Sequence, residues 1–259
     1  MSSSVVCSGL AKTFPSGVEA LRPTDVSFAA GQTTALVGPS GCGKSTLLRM
    51  VAGLEEPSAG SVSIDGAPPA HMLSAARLSI AFQDPSLLPW RSVRKNIELA
   101  LGLARRPVDD GEVDQLIQLV GLDGFADTRP AQLSGGMRQR AAIARALSTE
   151  PDLLLLDEPF GAVDELTRQQ LVHDLPRLWE ARGATTILVT HSVSEAVMLC
   201  DRILVLSARP GTIVADIAVD IARPRNAGIA RLPVYTELVD TVFDALAKGM
   251  LDPGLQAAQ

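Results

Sequence analysis

The sequence predicts an α/β fold with a mostly parallel sheet, and two observations support that prediction. "DLLLLDEP" and "ATTILVTH" are continuous apolar runs separated by a predicted helix, which is the pattern of strands buried on both faces. "TTALVG", residues 33–38, is an apolar run that passes through glycines into "KSTLLRMVAGL", whose apolar residues recur at helical spacing. We therefore expect parallel strands that alternate with helices and carry a site at their carboxyl ends.

Shorter strands accompany this core. "SVSIDG" at residues 61–66 ends on an Asp-Gly turn, and "LSIAF" at residues 78–82 follows it. "DRILVL" and "GTIVADIAV" predict a closing hairpin around Pro210. Pro176 should kink or end the helix of about 17 residues that begins at Glu165.

Two helical regions complete the predicted organisation. Between about residues 84 and 150, "VRKNIELALGLA", "EVDQLIQLVGL" and "GGMRQRAAIARALS" predict three helices of an inserted subdomain. Residues 224–259 form a predicted C-terminal tail with a helix near 236–248. The length of 259 residues suits one large α/β domain with such an insertion.

Composition excludes several classes of protein. The formal net charge of −6 disfavours nucleic acid as the main partner, because an acidic surface repels phosphate backbones. Cys7, Cys42 and Cys200 are widely spaced, without paired metal-ligand spacing, which fits a reducing compartment. No run of about 18 uncharged apolar residues occurs, so we expect a cytosolic chain that does not span a membrane by itself.

"GPSGCGKST", residues 38–46, predicts a phosphate-binding loop. It fits the pattern G-x-x-x-x-G-K-[ST], follows a predicted strand and opens a predicted helix. Lys44 would reach the β- and γ-phosphates and Ser45 would place its hydroxyl on Mg²⁺. The alternative is a glycine-rich turn without a ligand. The predicted binding residues are Gly38, Pro39, Ser40, Gly41, Cys42, Gly43, Lys44, Ser45 and Thr46.

Asp157 and Glu158 end the run "LLLLDEP" at a predicted strand terminus. Two adjacent carboxylates are costly there unless a cation or a ligand uses them. Asp157 is the predicted Mg²⁺ partner, through water, and Glu158 the predicted base that polarises the attacking water. The alternative is an acid pair that only caps the next helix.

With "LSGGMRQR" at residues 133–140 ahead of a helix, and Asp157 beyond it, the sequence resembles the ATP-binding cassette (ABC) ATPase subunits of membrane transporters. The resemblance covers about residues 5–220. It implies a P-loop NTPase core with an N-terminal antiparallel β subdomain and an inserted helical subdomain. It also implies that residues 1–223 form the nucleotide-binding domain, with ATP and Mg²⁺ as ligands.

Further site residues follow from the resemblance. Gln83 in "AFQDP" matches the residue that senses the γ-phosphate through Mg²⁺ and water, and His191 in "ILVTHS" matches the histidine that contacts that phosphate. Phe14 matches the aromatic residue that stacks on adenine, and Asp164 in "FGAVD" matches the acid that faces the partner subunit. Taken alone, Gln83 could be an ordinary polar loop residue, His191 a hydrogen-bonded histidine at a strand end, and Phe14 a core aromatic. The family commonly has Asp where this chain has Ser192.

Ser134, Gly135 and Gly136 present a hydroxyl and backbone N–H groups at a predicted helix N-terminus, which suits an anion. In the family two subunits bind head to tail, and this stretch caps the γ-phosphate held by the other subunit. The alternative is an ordinary serine N-cap followed by glycines that confer flexibility.

The segment "DPSLLPWRSVRKN" after Gln83 contains exposed-looking Leu87, Leu88, Trp90 and Arg91. Aromatic and arginine side chains are favoured at interfaces, and the resemblance implies that this segment docks a membrane permease. A hydrophobic segment packed inside the helical subdomain is the alternative. Cys42 is either a small filler residue or, if accessible, a thiol whose alkylation blocks ATP binding.

The predicted function is that of an ATP-hydrolysing importer subunit at the cytoplasmic face of the membrane. It would act as a head-to-tail dimer with a permease and, indirectly, a solute-binding protein. "LLPWRSVRKNIELAL" and "ARPGTIVADIAVDIARPRN" resemble subunits of the nitrate, sulfonate and taurine branch. The alternatives are a soluble cassette ATPase that acts on DNA or ribosomes and a nucleotide-gated module that does not hydrolyse ATP.

Overall fold

The computed structural model describes residues 2–250, which contain two sheets. The strands are β1 (Val5–Thr13), β2 (Glu19–Phe28), β3 (Thr33–Val37), β4 (Ala59–Ile64), β5 (Leu78–Ala81), β6 (Leu153–Asp157), β7 (Thr185–Val189), β8 (Arg202–Leu206) and β9 (Ile213–Ala218). The helices are α1 (Lys44–Val51), α2 (Pro69–Ser74), α3 (Val93–Leu103), α4 (Asp110–Leu119), α5 (Gly135–Ser148), α6 (Glu165–Asp174), α7 (Pro176–Glu180), α8 (Val193–Leu199) and α9 (Pro233–Met250).

The larger sheet has the strand order β5-β6-β7-β3-β8-β9, and all neighbours pair in parallel except β8 and β9. The smaller sheet, β2-β1-β4, is antiparallel. The predicted mostly parallel sheet, the N-terminal antiparallel subdomain and the closing hairpin are therefore confirmed.

The central strands are buried on both faces, as their apolar runs predict. All five residues of β6 are buried, and its four leucines alternate between two hydrophobic clusters. Leu154 and Leu156 pack with the helices of the insertion, whereas Leu153 and Leu155 pack with α1 and the antiparallel sheet. This alternation leaves the polar residue Asp157 at the carboxyl end of the strand.

The stretch between β5 and β6 contains α3, α4 and α5, which confirms the three predicted helices. Pro176 divides the helix predicted from Glu165 into α6 and α7, because its ring cannot continue the hydrogen-bond ladder. Helix α2 was not predicted from the sequence; it begins at Pro69, a residue suited to a first helical position. Over residues 2–250 no helix has the length and apolar character needed to cross a bilayer.

The C-terminal helix α9 extends beyond the predicted range of 236–248 at both ends. The segment before it is joined to the core by Arg225, whose side chain is only 3% exposed. Its guanidinium donates hydrogen bonds to the carbonyls of residues 197, 200, 219 and 221, at distances of 2.6 to 3.1 Å. The division of the chain at residue 223 stays a prediction, and the part of the tail from residue 251 lies outside the described residues.

Candidate nucleotide site

The loop between β3 and α1 has the backbone geometry that its glycines predict. Gly43 precedes α1 with φ of 102°, and a Cβ atom there would lie 2.5 Å from the carbonyl oxygen of Ala20. Only glycine meets both conditions, because L side chains are strained at positive φ and the space is closed. The loop is thereby held close to the antiparallel sheet while the N-terminus of α1 stays open to an anion.

Lys44 and Cys42 lie inside this loop. The ammonium Nζ of Lys44 donates to the carbonyl oxygens of Gly38 and Pro39, at 2.8 and 2.9 Å, so its charge is already at the centre of the loop. Cys42 is fully buried, and its Sγ lies 3.7 Å from the same Nζ. The interpretation of Cys42 as a small filler residue is confirmed, and the alternative of an accessible thiol is wrong, because the side chain packs in the core.

Asp157 lies at the end of β6, directly beside the first turn of α1. Its Oδ1 accepts a hydrogen bond of 2.8 Å from the Ser45 hydroxyl, and only 1% of the residue is exposed. Burial raises the pKa of Asp157, and the hydrogen bond from Ser45 opposes that rise. A buried carboxylate of this kind costs folding energy, which is the signature of a group retained for a ligand.

Glu158 follows with φ of 47°, a left-handed conformation that is uncommon for a residue with a side chain. Its backbone N–H donates to the Val189 carbonyl at 2.9 Å, which holds the turn against β7. The strained turn directs the carboxylate into the cleft rather than along the strand. Such strain of about 1–3 kcal/mol persists where the surrounding structure enforces it and clusters at functional sites.

Gln83 and His191 converge on the same carboxylate. The amide Nε2 of Gln83 donates to Glu158 Oε2 at 3.1 Å, and Nδ1 of His191 lies 3.6 Å from that oxygen. Gln83 follows β5 and His191 follows β7, so neighbouring strands of the parallel sheet bring the three side chains together. The structure thus joins residues that are 75 and 33 positions apart in the chain.

A divalent cation could be held beside this group. The described residues 2–250 contain no cluster of three His, Cys, Asp or Glu side chains suited to a metal. The groups whose oxygen atoms could bind a cation are the Ser45 hydroxyl, the Asp157 carboxylate and the Gln83 amide. Because Mg²⁺ is usually bound by one or two carboxylates together with substrate phosphates, this set fits Mg²⁺ that arrives with a nucleotide.

A cleft of about 300 Å³ lies between the loop and the antiparallel sheet. The half-buried ring of Phe14 forms one wall, with the Lys12 ammonium 5.2 Å from its centroid. Sequence reasoning missed three wall residues, Val18, Ala20 and Arg209, which no motif marks. The side chains and backbone that line the cleft are those of Phe14, Val18, Ala20, Ser40, Gly41, Gly43, Lys44, Ser45, Thr46, Gln83, Glu158 and Arg209.

Ser134, Gly135 and Gly136 are not part of this lining. Ser134 is exposed and caps α5, accepting a hydrogen bond from the Met137 N–H at 3.2 Å. At Gly136 a Cβ would lie 2.9 Å from the Ala162 carbonyl oxygen, so close packing requires glycine. At Gly135 the nearest atom would be 3.8 Å away, which is ordinary contact distance. No contact within the described chain therefore requires glycine at position 135.

Two further sequence predictions concern helix starts. Asp164 is exposed and caps α6, accepting from the Thr167 N–H at 3.0 Å, and this hydrogen bond lowers its pKa. Its contact with a second subunit stays a prediction.

Ser192 caps α8 by accepting from the Glu195 N–H at 3.2 Å, so serine performs the local capping that an aspartate could provide here. His71 is exposed and His173 is partly exposed, and neither lines the cleft.

The segment after Gln83 is less exposed than predicted. Trp90 is 67% exposed, but Leu87, Leu88 and Arg91 are half-buried, and Leu87 packs against the larger hydrophobic cluster. The buried Asn96 of α3 holds the segment through the backbone of residues 88, 91 and 92. The three residues are therefore less exposed than expected, and only Leu87 of them packs against the core, whereas Trp90 is exposed as expected.

A phosphate loop, a serine–aspartate pair and a strained glutamate at the ends of parallel strands define a nucleotide-binding P-loop protein. A family model described as ABC transporter matches residues 21–161. The chain belongs to this family. The predicted resemblance is confirmed.

Two curated relatives show the range of similar proteins. The chain is 45% identical over 239 residues to the aliphatic sulfonates import ATP-binding protein SsuB of Pseudomonas putida, covering 92% of this chain and 85% of that one. It is 48% identical over 239 residues to the bicarbonate transport ATP-binding protein CmpC of Synechococcus elongatus, covering 87% of this chain. It spans only 35% of the length of CmpC.

Solved structures support the fold. The dimeric structure of a post-hydrolysis state of an ATP-binding cassette, bound to ADP and Pi, superposes with a TM-score of 0.76 at 29% identity. That match covers 84% of this chain and all of the other. A bacterial Atm1-family ABC exporter with ATP bound gives a TM-score of 0.73 at 30% identity, covering 92% of this chain and 42% of the exporter.

Proposed function

We propose that this chain is the ATP-hydrolysing subunit of an ABC importer. The observation that carries the proposal is the convergence of Lys44, the Ser45–Asp157 pair and Glu158 at one cleft, with Gln83 and His191 on the same carboxylate. Each of these groups has a distinct task in phosphoryl transfer, and together they come from four separate segments of the chain.

ATP enters the cleft with its phosphates in the loop and its base against Phe14. Lys44 exchanges the carbonyls of Gly38 and Pro39 for phosphate oxygens, and the N–H groups at the start of α1 bind the remaining charge. The ring of Phe14 offers one face to adenine, since Lys12 lies over the ring and is held in turn by the Glu56 carbonyl. These contacts bind and orient the nucleotide.

Glu158 accepts the proton of the attacking water. Gln83 and His191 orient its carboxylate and lie where the γ-phosphate ends, so the base is positioned before the nucleotide arrives. Ser45, Asp157 through water, and Gln83 would hold Mg²⁺, which neutralises charge on the phosphates when bound.

The site is completed by a second copy. Ser134 and the N–H groups of Gly135 and Gly136 lie at a helix N-terminus but outside this chain's own cleft. Gly135 has room for a side chain, so the approach of an outside group accounts for a glycine that the chain's own packing does not need. The dimeric architecture of the similar cassette with ADP and Pi supports a head-to-tail pair. ATP binding then closes the dimer, and hydrolysis releases it.

The partner is a membrane permease, which the exposed Trp90 beside the Gln83 segment contacts at the cytoplasmic face of the membrane. A solute-binding protein delivers the cargo to that permease. The cargo we propose is a small solute of the nitrate, sulfonate or taurine kind; one similar protein is named for import of aliphatic sulfonates and another for transport of bicarbonate. These names favour this function over a soluble ATPase for DNA or ribosomes, and the positioned Glu158 and His191 favour hydrolysis over simple binding.

Asp157→Asn tests the proposal. The buried carboxylate costs stability at pH 7, as its raised pKa indicates, so the variant should melt at a higher temperature; at this size each 1 kcal/mol corresponds to about 2–4 °C. Mg²⁺-dependent ATP hydrolysis should be lost. The sign follows from the raised pKa: the penalty is absent below the ordinary aspartate value of about 3.9 and grows as pH rises through the folded pKa.

Thermal unfolding from pH 3 to 8 and phosphate release from Mg-ATP are the measurements. A less stable variant that still hydrolyses ATP would mean that Asp157 has only a structural role, as the acceptor of the Ser45 hydroxyl. The matched control is Asp174→Asn, at a carboxylate remote from the cleft whose pKa is lowered by hydrogen bonding to His173. This control should lose a little stability and keep full hydrolysis.

A further inference from the structure

The backbone on both sides of Gln83 is tied to helix α5. Gln139 of α5 is 1% exposed, and its Nε2 donates to the Phe82 carbonyl at 3.1 Å. Among the residues that the structure describes, the Oε1 atom of Gln139 has no hydrogen-bond partner. Burying an amide is costly, so the contact with Phe82 is the interaction that compensates for it.

Arg145 makes the second tie, six residues further along α5. Its Nη1 donates to the Ser86 carbonyl at 2.7 Å, and its Nη2 donates to the Pro85 carbonyl at 2.9 Å. Ser86 has φ of 46°, so these bonds hold a backbone turn that would not persist without support. The guanidinium therefore fixes two neighbouring carbonyls in one geometry.

Together, the hydrogen bonds from Gln139 and Arg145 make the position of Gln83 depend on the position of α5. The carbonyls of residues 82, 85 and 86 all accept from the same helix, while the Gln83 side chain reaches Glu158. Helix α5 has 14 residues and begins at Gly135, next to Ser134. A helix of this length is a rigid rod of about 21 Å. A displacement of its N-terminus is therefore transmitted to the Gln83 segment.

We propose that Gln139 and Arg145 are positioning residues that make Gln83 move with α5. Contact of a second copy's nucleotide with Ser134 and Gly135 then moves Gln83 of the contacted chain and adjusts its hold on Glu158. The two residues act through Gln83 and do not touch the nucleotide themselves. The inference rests on the proposed function, because it assumes that Gln83 and Glu158 act in hydrolysis.

A double-mutant cycle on the purified full chain tests the proposal. Arg145→Met should lower kcat about tenfold and change KM for ATP by less than about twofold, since nucleotide binding does not involve Arg145. In a Gln83→Ala background the same substitution should change kcat by less than about twofold, because the residue through which it acts is gone.

Arg140→Met is the matched control. Arg140 lies on the same helix, is partly buried, and donates from Nη1 to the carbonyls of Val120 and Gly121 at 2.9 and 2.6 Å. A general loss of stability of α5 would affect both arginine variants alike, and its effect on kcat would be equal in the two backgrounds. If Arg145→Met also lowers kcat equally with and without Gln83, its role is structural and the proposal is overturned.

Gln139→Leu keeps the test valid if Arg145→Met does not fold. Leucine has a similar volume and removes the unpaired Oε1, so the variant should fold at least as well as the native chain. It should nevertheless lower kcat, and the loss should disappear in the Gln83→Ala background. Unchanged kcat in a folded Gln139→Leu chain would overturn the role of Gln139.

Hydrogen exchange of backbone amides at residues 83–91, with and without ATP, gives a readout that does not require turnover. ATP should change exchange in the native chain, and Gln139→Leu, which leaves only the Arg145 hydrogen bonds, should reduce that change while leaving ATP affinity within about twofold. The same ATP-dependent change in both chains would overturn the proposal. A native chain that binds ATP but never hydrolyses it would instead count against the proposed function.

Discussion

The loop at residues 38–43 and the stretch at residues 134–136 both place glycines ahead of a helix, but they differ in what their own chain supplies. The first is surrounded by groups of the same cleft: Lys44 lies inside it and Asp157 beside it. The second begins with an exposed serine that caps a helix, and none of its three residues lines the cleft.

The glycines make the contrast sharper. Gly43 is required by its backbone conformation and by the Ala20 carbonyl, and Gly136 is required by its packing on Ala162. Gly135 is required by neither, although glycine is a poorer helix former than alanine. The difference teaches that the fold of the chain itself determines the loop at residues 38–43, whereas the stretch at residues 134–136 is determined by the molecule that binds to it.

The largest expected effect concerns the half that the chain supplies itself. Glu158→Gln should lower turnover about 10²–10⁴-fold, the usual contribution of a positioned base, while ATP binding is retained. Gln keeps the hydrogen-bonding shape but cannot accept the proton. Size-exclusion chromatography with ATP should show a dimer that persists. Unchanged turnover would remove Glu158 from the role of base, and loss of ATP binding would indicate damage to the fold.

The next largest effect concerns the half that faces outward. Ser134→Arg should lower hydrolysis at least about 100-fold, because its long side chain occupies the space of a partner's phosphate at a position where single hydrogen-bond donors already matter. Nucleotide binding to the monomer, measured by equilibrium dialysis, should not change. Loss of binding in the monomer would contradict the assignment of Ser134 to the other copy's nucleotide.

Mixing variants provides the control for this experiment. Lys44→Ala removes the loop function from one chain, and Ser134→Arg removes the capping function from the other. Mixed dimers contain one complete site, so an equal mixture should regain up to about a quarter of native activity, since half of randomly formed pairs are mixed. A mixture as inactive as its parts would show that each chain needs both elements for its own nucleotide.

The smallest effect is one of stability and separates the two glycines. Gly136→Ala should lose about 1–3 kcal/mol because its methyl group clashes with the Ala162 carbonyl. Gly135→Ala should gain up to about 1 kcal/mol from helix propensity, yet lose hydrolysis. Urea unfolding and phosphate release measure the two quantities. Equal destabilisation by both changes would mean that Gly135 also has a packing role.

The elements of the core could be predicted because local sequence determines them. The four leucines of β6 and the run of β3 are long enough and apolar enough to be buried on both faces, and Asp157 then lies at the strand end. The phosphate loop is similarly local, since Gly43 and Lys44 act within a few residues. Pro176 ended α6 where its missing N–H required it.

The remaining features depend on contacts between distant segments. Arg209 reaches the cleft because β8 and β9 form a hairpin whose turn lies against Cys42, and no spacing indicates this. Gln139 and Arg145 look like ordinary polar residues of a helix until the Phe82 to Ser86 segment is placed beside them. Leu87 was misjudged for the same reason, since the hydrophobic cluster on which it packs is built from segments far apart in the chain.

Arg225 has a practical consequence for anyone who trims this protein. A fragment that stops at residue 223 would leave four inward-facing carbonyl oxygens without the guanidinium that serves them. Their owners include Val197 and Cys200, at the end of the helix that follows His191. Shortening the chain at its far end would therefore disturb the C-terminal end of α8, the helix that begins next to His191, so expression boundaries should be drawn well past the last strand.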